Sequence, residues 1–153
     1  MSNERHYYRV NVSQPQTVFE SFIDWTRFSS SSNLLQLEFK LFKAVESVWV
    51  ADDCDVGIIH DQTIKLLKAE EPIMVAHTKL FSDQSNSMIR CILSGMHVPE
   101  DEQPNIMMQL CHGIKLLLTD RRVRGLTSMP NVLVDIYDVT LQLQNINDDQ
   151  TFI

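Results

Sequence analysis

Apolar residues recur at helical spacing along most of this chain, and the pattern is strongest over residues 34–50. Two adjacent apolar stripes cover that segment: Leu34, Leu37, Leu41, Val45 and Val48 form one, and Leu35, Phe39, Phe42 and Trp49 form the other. A helix that is apolar around most of its circumference must be buried on several sides. The pattern therefore predicts a central helix over residues 34–50, with Asn33 as its N-cap.

Further amphipathic segments predict helices packed around the central one. Their expected ranges are 14–28, about 53–69, 72–80, 87–98 and 104–124. The last is the best defined, because acidic residues precede Pro104, arginines follow the final turn, and Gly125 is placed to terminate the helix. The polar stretch at residues 82–87 is expected to be a loop.

The two ends of the chain show other patterns. Tyr8, Val10 and Val12 alternate with polar residues, which predicts an extended N-terminal arm over residues 1–12. That arm packs on its own domain, donates a strand to a partner or is simply disordered. Residues 130–146 fit both a strand and a helix, and the helix is preferred because the rest of the chain has helical periodicity. The polar residues 147–153 predict a flexible tail.

Glycine is scarce in this chain. Its 153 residues include four glycines, whereas average usage would give about eleven. Glycine supplies tight turns and lets the backbone approach phosphates, so its scarcity favours short connections and argues against glycine-rich nucleotide-binding loops. The predicted fold is an all-α compact bundle of six or seven helices, which form a single helical domain over residues 13–146.

Charge and cysteine content restrict the partners and the compartment. The formal net charge of −7 disfavours nucleic acids and anionic membranes, which attract clustered Lys and Arg. Three cysteines cannot all pair within one chain, and residues 1–12 lack the apolar core of a signal peptide. Free thiols in a reducing compartment are the simplest interpretation, so we expect an intracellular protein, cytoplasmic or nuclear. No stretch approaches the roughly 18 consecutive apolar residues of a membrane span.

Motifs that carry chemistry are missing from the sequence. No CxxC, HxxxH, HExxH or GxSxG pattern occurs. Asp53, Asp55 and Gly57 faintly resemble a calcium loop, but Ile64 occupies the position of its bidentate acid. The sequence therefore predicts no catalytic, cofactor-binding or metal-ligating residue, no small-molecule substrate and no enzyme activity.

Two groups of residues remain as candidates for recognition. Methionine is flexible and can line adaptable grooves, and an extended arm can pair with a partner strand. The candidate partner-binding residues are Tyr8, Val10, Met88, Met96, Met107 and Met108. The one local concentration of basic residues is a candidate anion contact and consists of Arg121, Arg122 and Arg124.

The sequence thus predicts a non-enzymatic protein–protein interaction module, either an adaptor or a subunit of a larger complex. It is expected to bind a protein partner or a second copy through an apolar helical surface. Two alternatives stay open. One is a nucleic-acid- or phosphate-binding accessory factor that uses the three arginines, and the other is a small intracellular enzyme without a recognisable motif.

Overall fold

A mixed five-stranded sheet, rather than a helical bundle, forms the centre of the molecule. The computed structural model describes residues 4–15, 34–50, 57–126 and 130–145, which are 51% strand and 35% helix. The elements in chain order are β1 (Glu4–Ser13), β2 (Leu34–Val50), β3 (Gly57–Ala69), β4 (Ile73–Ala76), α1 (Asp83–Gly95), α2 (Gln103–Val123) and β5 (Asn131–Asn145), with short 3-10 turns at His77–Lys79 and Glu100–Glu102.

The strand order across the sheet is β1-β5-β2-β3, and β4 pairs with the start of β2. β2 and β5 are the central pair and run parallel, in register from Gln36 opposite Asn131 to Val50 opposite Asn145 without a shift. β1 is antiparallel to β5, and both β3 and β4 are antiparallel to β2. β1 and β3 are therefore the two long outermost strands, and the short β4 lies at the same margin as β3.

The predicted all-α fold is wrong, and the error begins at residues 34–50. That segment is β2, in which Leu35, Leu37 and Phe39 are buried and alternate with half-buried polar residues. A segment this rich in apolar residues satisfies the 3.6-residue period of a helix and the two-residue period of a strand together. The strand prevails because pairing on both sides satisfies its backbone while its alternate side chains enter the core.

Most of the other helix predictions are also wrong. Residues 57–69 of the predicted helix at 53–69 form β3, and residues 131–145 of the one at 130–146 form β5, while residues 53–56 and 146 lie outside the described residues. The predicted helix at 72–80 is β4 followed by a 3-10 turn. Helices lie at the two remaining predicted positions, where α1 begins earlier than expected because Ser82 accepts a hydrogen bond from the Ser85 backbone N–H. The predicted helix at 14–28, except Gln14 and Pro15, and the predicted tail at 147–153 lie outside the described residues.

The hydrophobic core lies between the sheet and the two helices. α1 and α2 cover one face of the first halves of β2 and β5, and we call this the helix face and the opposite one the second face. The fully buried side chains of the layer are Leu35, Leu37 and Phe39 on β2, Val132, Val134 and Ile136 on β5, Ile89 and Leu93 on α1, and Ile106, Leu110 and Ile114 on α2. Each stabilises the fold by about 1.5–3 kcal/mol relative to an exposed side chain.

Strand β1 approaches helix α2 very closely, and Gly113 makes this approach geometrically feasible. A Cβ atom at Gly113 would lie 2.6 Å from Cγ2 and 2.8 Å from Cβ of Val12. Carbon atoms in normal contact are about 3.5–4.0 Å apart. A side chain at position 113 would therefore push β1 and α2 apart.

We expect Gly113→Ala to lower the free energy of unfolding by about 1–3 kcal/mol through this overpacking. The loss should occur even though alanine raises helix propensity by about 1 kcal/mol. Urea unfolding measures the change. Gly95→Ala is the control, because its Cβ would have only a normal contact, 3.9 Å from Oε1 of Glu70. An unchanged stability of Gly113→Ala would contradict the close packing of β1 on α2.

Candidate functional site: the edges of the sheet

The two outermost strands of the sheet differ in how their outer edges are covered. An edge strand presents backbone N–H and C=O groups that can pair with another chain, so native proteins usually block it. β1 and β3 are the strands concerned.

One side chain of α2 caps the middle of the β1 edge. The side-chain amide of Gln109 donates from Nε2 to the Tyr8 carbonyl oxygen at 3.0 Å and accepts at Oε1 from the Val10 N–H at 3.0 Å. Backbone groups two residues apart point to the same side of a strand, here the side away from β5. Gln109 therefore takes two of the hydrogen bonds that a neighbouring strand would make, at the centre of β1. A groove of about 600 Å³ lies beside this contact, and His112 and Leu116 help to line it.

Among the described residues, none caps the edge of β3 in this way. Every residue of β3 is exposed, and within the described part of the chain the strand pairs with β2 alone. Five large aliphatic side chains on this strand are exposed by half or more, namely Ile58, Ile59, Ile64, Leu66 and Leu67. An exposed strand of this length and apolar content is a template for strand pairing.

The regular part of this edge is residues 61–66. The pairing with β2 shifts register on either side of it, between Leu41 and Phe42 and between Ser47 and Val48. Such bulges twist and interrupt an edge, but between them β3 is a normal strand. We call residues 61–66 of β3 the free edge.

The backbone direction along the free edge follows from one hydrogen bond. The Glu70 N–H donates to the Phe39 carbonyl oxygen at 3.0 Å, so Phe39 directs its backbone groups toward β3. β2 pairs with β5 without a shift, and its residues therefore alternate regularly from Phe39 onward. Their partners Asp61, Thr63 and Lys65 direct their backbone groups toward β2. The backbone groups of the intervening residues point outward, and these residues are Gln62, Ile64 and Leu66.

Side-chain contacts on the second face hold β3 in this register. Gln62 donates from Nε2 to Oε1 of Glu46 at 2.8 Å, and Arg9 reaches the same oxygen at 3.3 Å from β1. The Arg9 guanidinium lies over the ring of Tyr137, which in turn stacks on Phe42. The Glu46 carboxylate, whose side chain is 3% exposed, therefore connects both outermost strands to the centre of the sheet.

On the helix face, polar side-chain contacts join the strands in the second halves of β2 and β5. Lys43 forms an ion pair with Asp138 at 3.4 Å and donates to Oγ1 of Thr140 at 2.7 Å. Near the far end, the ring of Trp49 stacks on His60 with the ring centres 4.3 Å apart, and both side chains hydrogen-bond Gln144. The free edge is therefore pre-organised by contacts on both faces before any partner binds.

The predicted partner-binding residues do not form one surface. Tyr8 and Val10 are half-buried on β1, and Gln109 hydrogen-bonds the Tyr8 carbonyl oxygen and the Val10 N–H. Met96 is buried in the core and Met107 packs against it. Met108, which is 66% exposed, and the less exposed Met88 lie on different helices.

The three predicted anion contacts lie at the end of α2 in different environments. Arg121 is only 2% exposed and donates to Oε1 of Gln14 at 2.8 Å. Arg124 forms an ion pair with Asp120 at 3.2 Å, and Arg122 is exposed. The guanidinium of Arg121 is therefore withdrawn from an anion in solvent.

The exposed edge of β3 was not predicted from the sequence, because the segment was predicted to be a helix. The strand Gly57–Ala69 has no clean alternation of apolar and polar residues. Its one strand-like signal is the concentration of β-branched residues, since Ile58, Ile59, Thr63 and Ile64 favour strands.

No family model matches this chain, and no curated protein or solved structure shows significant similarity to it. Among the described residues, no three His, Cys, Asp or Glu side chains are grouped so that they could hold a metal ion. None of the helices in the described part of the chain has the length and apolar character needed to cross a membrane.

Replacing Arg9 should lower the free energy of unfolding more than replacing its partner Glu46. Arg9→Met leaves the buried Glu46 carboxylate with Gln62 as its remaining donor, and we expect a loss on the order of 3 kcal/mol. Glu46→Gln keeps a side-chain oxygen in place, while the Arg9 side chain is 41% exposed and stays hydrated, so we expect a loss of about 1 kcal/mol. Chemical unfolding of both variants measures the difference, and the reverse order would contradict this role of Arg9.

Asp135 should make stability depend on pH. It lies opposite Lys40 on the second face. Burial raises the pKa of Asp135 above its usual value, Lys40 opposes the rise, and Glu38 adds to it. A carboxyl group with a raised pKa binds its proton more tightly in the folded state, so stability falls as the pH rises through that range.

We therefore expect Asp135→Asn to raise the thermal unfolding midpoint at pH 7. The gain should disappear near pH 3, below the unfolded-state pKa of about 3.9, where the wild-type group is protonated in both states. Thermal unfolding at the two pH values measures it. An equal gain at both would show that the ionised carboxylate is not responsible.

Proposed function

We propose that the protein is a non-enzymatic interaction module, an adaptor or subunit of a larger assembly, that binds a partner strand along the free edge of β3. The observation that supports this is the difference between the two edges. Gln109 occupies the middle of the β1 edge, whereas the β3 edge presents outward backbone groups beside exposed aliphatic side chains.

Strand addition would use both the outward backbone groups and the side chains of this edge. Hydrogen bonds to the outward groups of Gln62, Ile64 and Leu66 would supply affinity for any extended segment, and side chains on the two faces would supply specificity. Ile64 and Leu66 lie on the second face, while Thr63 and Lys65 lie on the helix face. The edge is already held by Glu46 and Trp49, so little ordering would be required on binding.

The exposed aliphatic side chains make this surface energetically suited to binding. Covering the exposed half of one large aliphatic side chain contributes about 1 kcal/mol. Ile64 and Leu66 adjoin the outward backbone groups, so a paired strand would cover them directly. A charged residue at either position would oppose the contact, which is how native edge strands avoid pairing.

We expect Ile64→Lys to weaken binding of the partner at least tenfold, because the lysine must be desolvated or displaced in the paired state. Captures with the tagged protein, performed at several concentrations in lysate of the cells that make it, measure the change in retained partner. Met108→Lys is the matched control, since it places the same charge at an exposed apolar position on α2. Retention should match that of the wild type with Met108→Lys and fall with Ile64→Lys.

The same pair of positions allows a test in intact cells. A photoreactive phenylalanine analogue at position 64 should form a covalent adduct with whatever strand lies beside β3, and one at position 108 should not. Adducts from position 108 alone, together with full retention by Ile64→Lys, would place the binding surface on the helices and overturn the proposal.

A further inference from the structure

The free edge of β3 complements itself when a second copy approaches in the antiparallel direction. We propose that the strand bound at this edge is β3 of a second copy, in the register centred on Thr63. This inference rests on the proposed function and specifies its partner. A two-fold symmetric contact requires one surface that fits itself, and most soluble oligomers are of this kind.

The charges of the edge support this register. With Thr63 opposite Thr63, Asp61 of each copy lies opposite Lys65 of the other, so the symmetry creates the pair twice. Asp61 and Lys65 form no ion pair with each other or elsewhere in the part of the chain that the structure describes. The neighbouring Lys68 is already engaged, since it donates to the Gly95 carbonyl oxygen at 2.7 Å and pairs with Glu70 at 3.1 Å.

The backbone geometry allows the same register. It places Gln62 of one copy opposite Ile64 of the other, and both residues direct their N–H and C=O groups outward. They can therefore exchange two hydrogen bonds on each side of the symmetry axis. Thr63 opposite Thr63 and Asp61 opposite Lys65 are then the non-hydrogen-bonded pairs, in which side chains lie closest.

Neighbouring registers lose this match. A shift of one residue in the pairing would oppose outward groups of one copy to inward groups of the other and make no ladder. Centring the contact on Ile64 places Asp61 opposite Leu67, and centring it on Gln62 places Lys65 opposite Ile59. Both leave each charge facing an aliphatic side chain or Thr63, so the register centred on Thr63 is the one that pairs opposite charges.

The second face gains apolar contact in this arrangement. Ile64 of the two copies become diagonal neighbours across the new strand pair, about 7–8 Å apart and within reach of each other. Leu66 lies farther along the same face of each copy. The exposed aliphatic side chains therefore begin to cover one another on one face while opposite charges pair on the other.

Charge reversal tests the pairing in the full-length protein. Sedimentation equilibrium over a range of concentrations should show a monomer–dimer equilibrium for the wild type. Asp61→Lys and Lys65→Glu should each raise the dimer dissociation constant at least tenfold, because each creates two like-charge pairs. Together in one chain they should return it to within about threefold of the wild-type value, since the opposite pairs are restored.

Matched controls separate the local pairing from net charge. Arg90→Glu changes the net charge as Lys65→Glu does, but on the exposed surface of α1, so it should leave the dissociation constant within threefold. Circular dichroism should show each variant folded, because Asp61 and Lys65 are exposed.

A cysteine test reports the register directly. In a chain whose three native cysteines are replaced by serine, Thr63→Cys should form an intermolecular disulfide under mild oxidation. The Cα atoms of a non-hydrogen-bonded pair are about 4.5 Å apart, within the range of about 4.4–6.8 Å for disulfides. Ile64→Cys should cross-link much more slowly, because its counterpart is a diagonal neighbour.

The outcomes distinguish this inference from the proposed function. A wild-type monomer at all concentrations, with a captured partner that Ile64→Lys still loses, would overturn self-pairing and leave strand addition in place. A dimer that Ile64→Lys weakens but the charge reversals do not would overturn this register. A dimer insensitive to Ile64→Lys and to both charge reversals, with full retention of captured partners, would overturn both.

Discussion

The parallel pairing of β2 with β5 is the constraint on which the rest of the structure depends. The two strands stay in register along the whole of β5, and their first halves supply the buried layer that α1 and α2 cover. Every other strand takes its position from this pair, since β1 adds to β5 and both β3 and β4 add to β2. A parallel pair needs a long crossover connection. Here that connection contains β3, β4 and both helices, so the free edge and the helices that cover the core come from one segment of the chain.

Part of this arrangement can be predicted from the sequence, and the physical reason differs between elements. The range of α2 is predictable because Pro104 begins its first turn and Gly125, with a φ of +76°, follows its last one. The secondary structure of β2 cannot be predicted in this way, because its apolar residues are so dense that helical and strand periods fit equally well. The choice is made by pairing with β5, whose residues lie nearly a hundred positions away.

The candidate site was less predictable than the fold. The outer edge of β3 is exposed because the strand order places β3 rather than β5 at the margin of the sheet. Strand order is a property of tertiary structure. The contact of Gln109 with β1 has no local sequence signature either, since a glutamine on the polar side of an amphipathic helix is common. The apolar pattern suggested methionines on helices as the binding surface, whereas the exposed apolar side chains of β3 lie on a strand that the same pattern assigned to a helix.

The bidentate contact of Gln109 with Tyr8 and Val10 also limits how far an assembly built by strand pairing can extend. Within the described part of the chain, the free edge of β3 is one attachment line, and the middle of the β1 margin is already hydrogen-bonded by the Gln109 amide. Two chains joined through β3 would therefore present β1 margins whose central backbone groups are occupied. Pairing of a further chain at that margin would have to displace Gln109, which favours a defined stoichiometry over growth into a fibre.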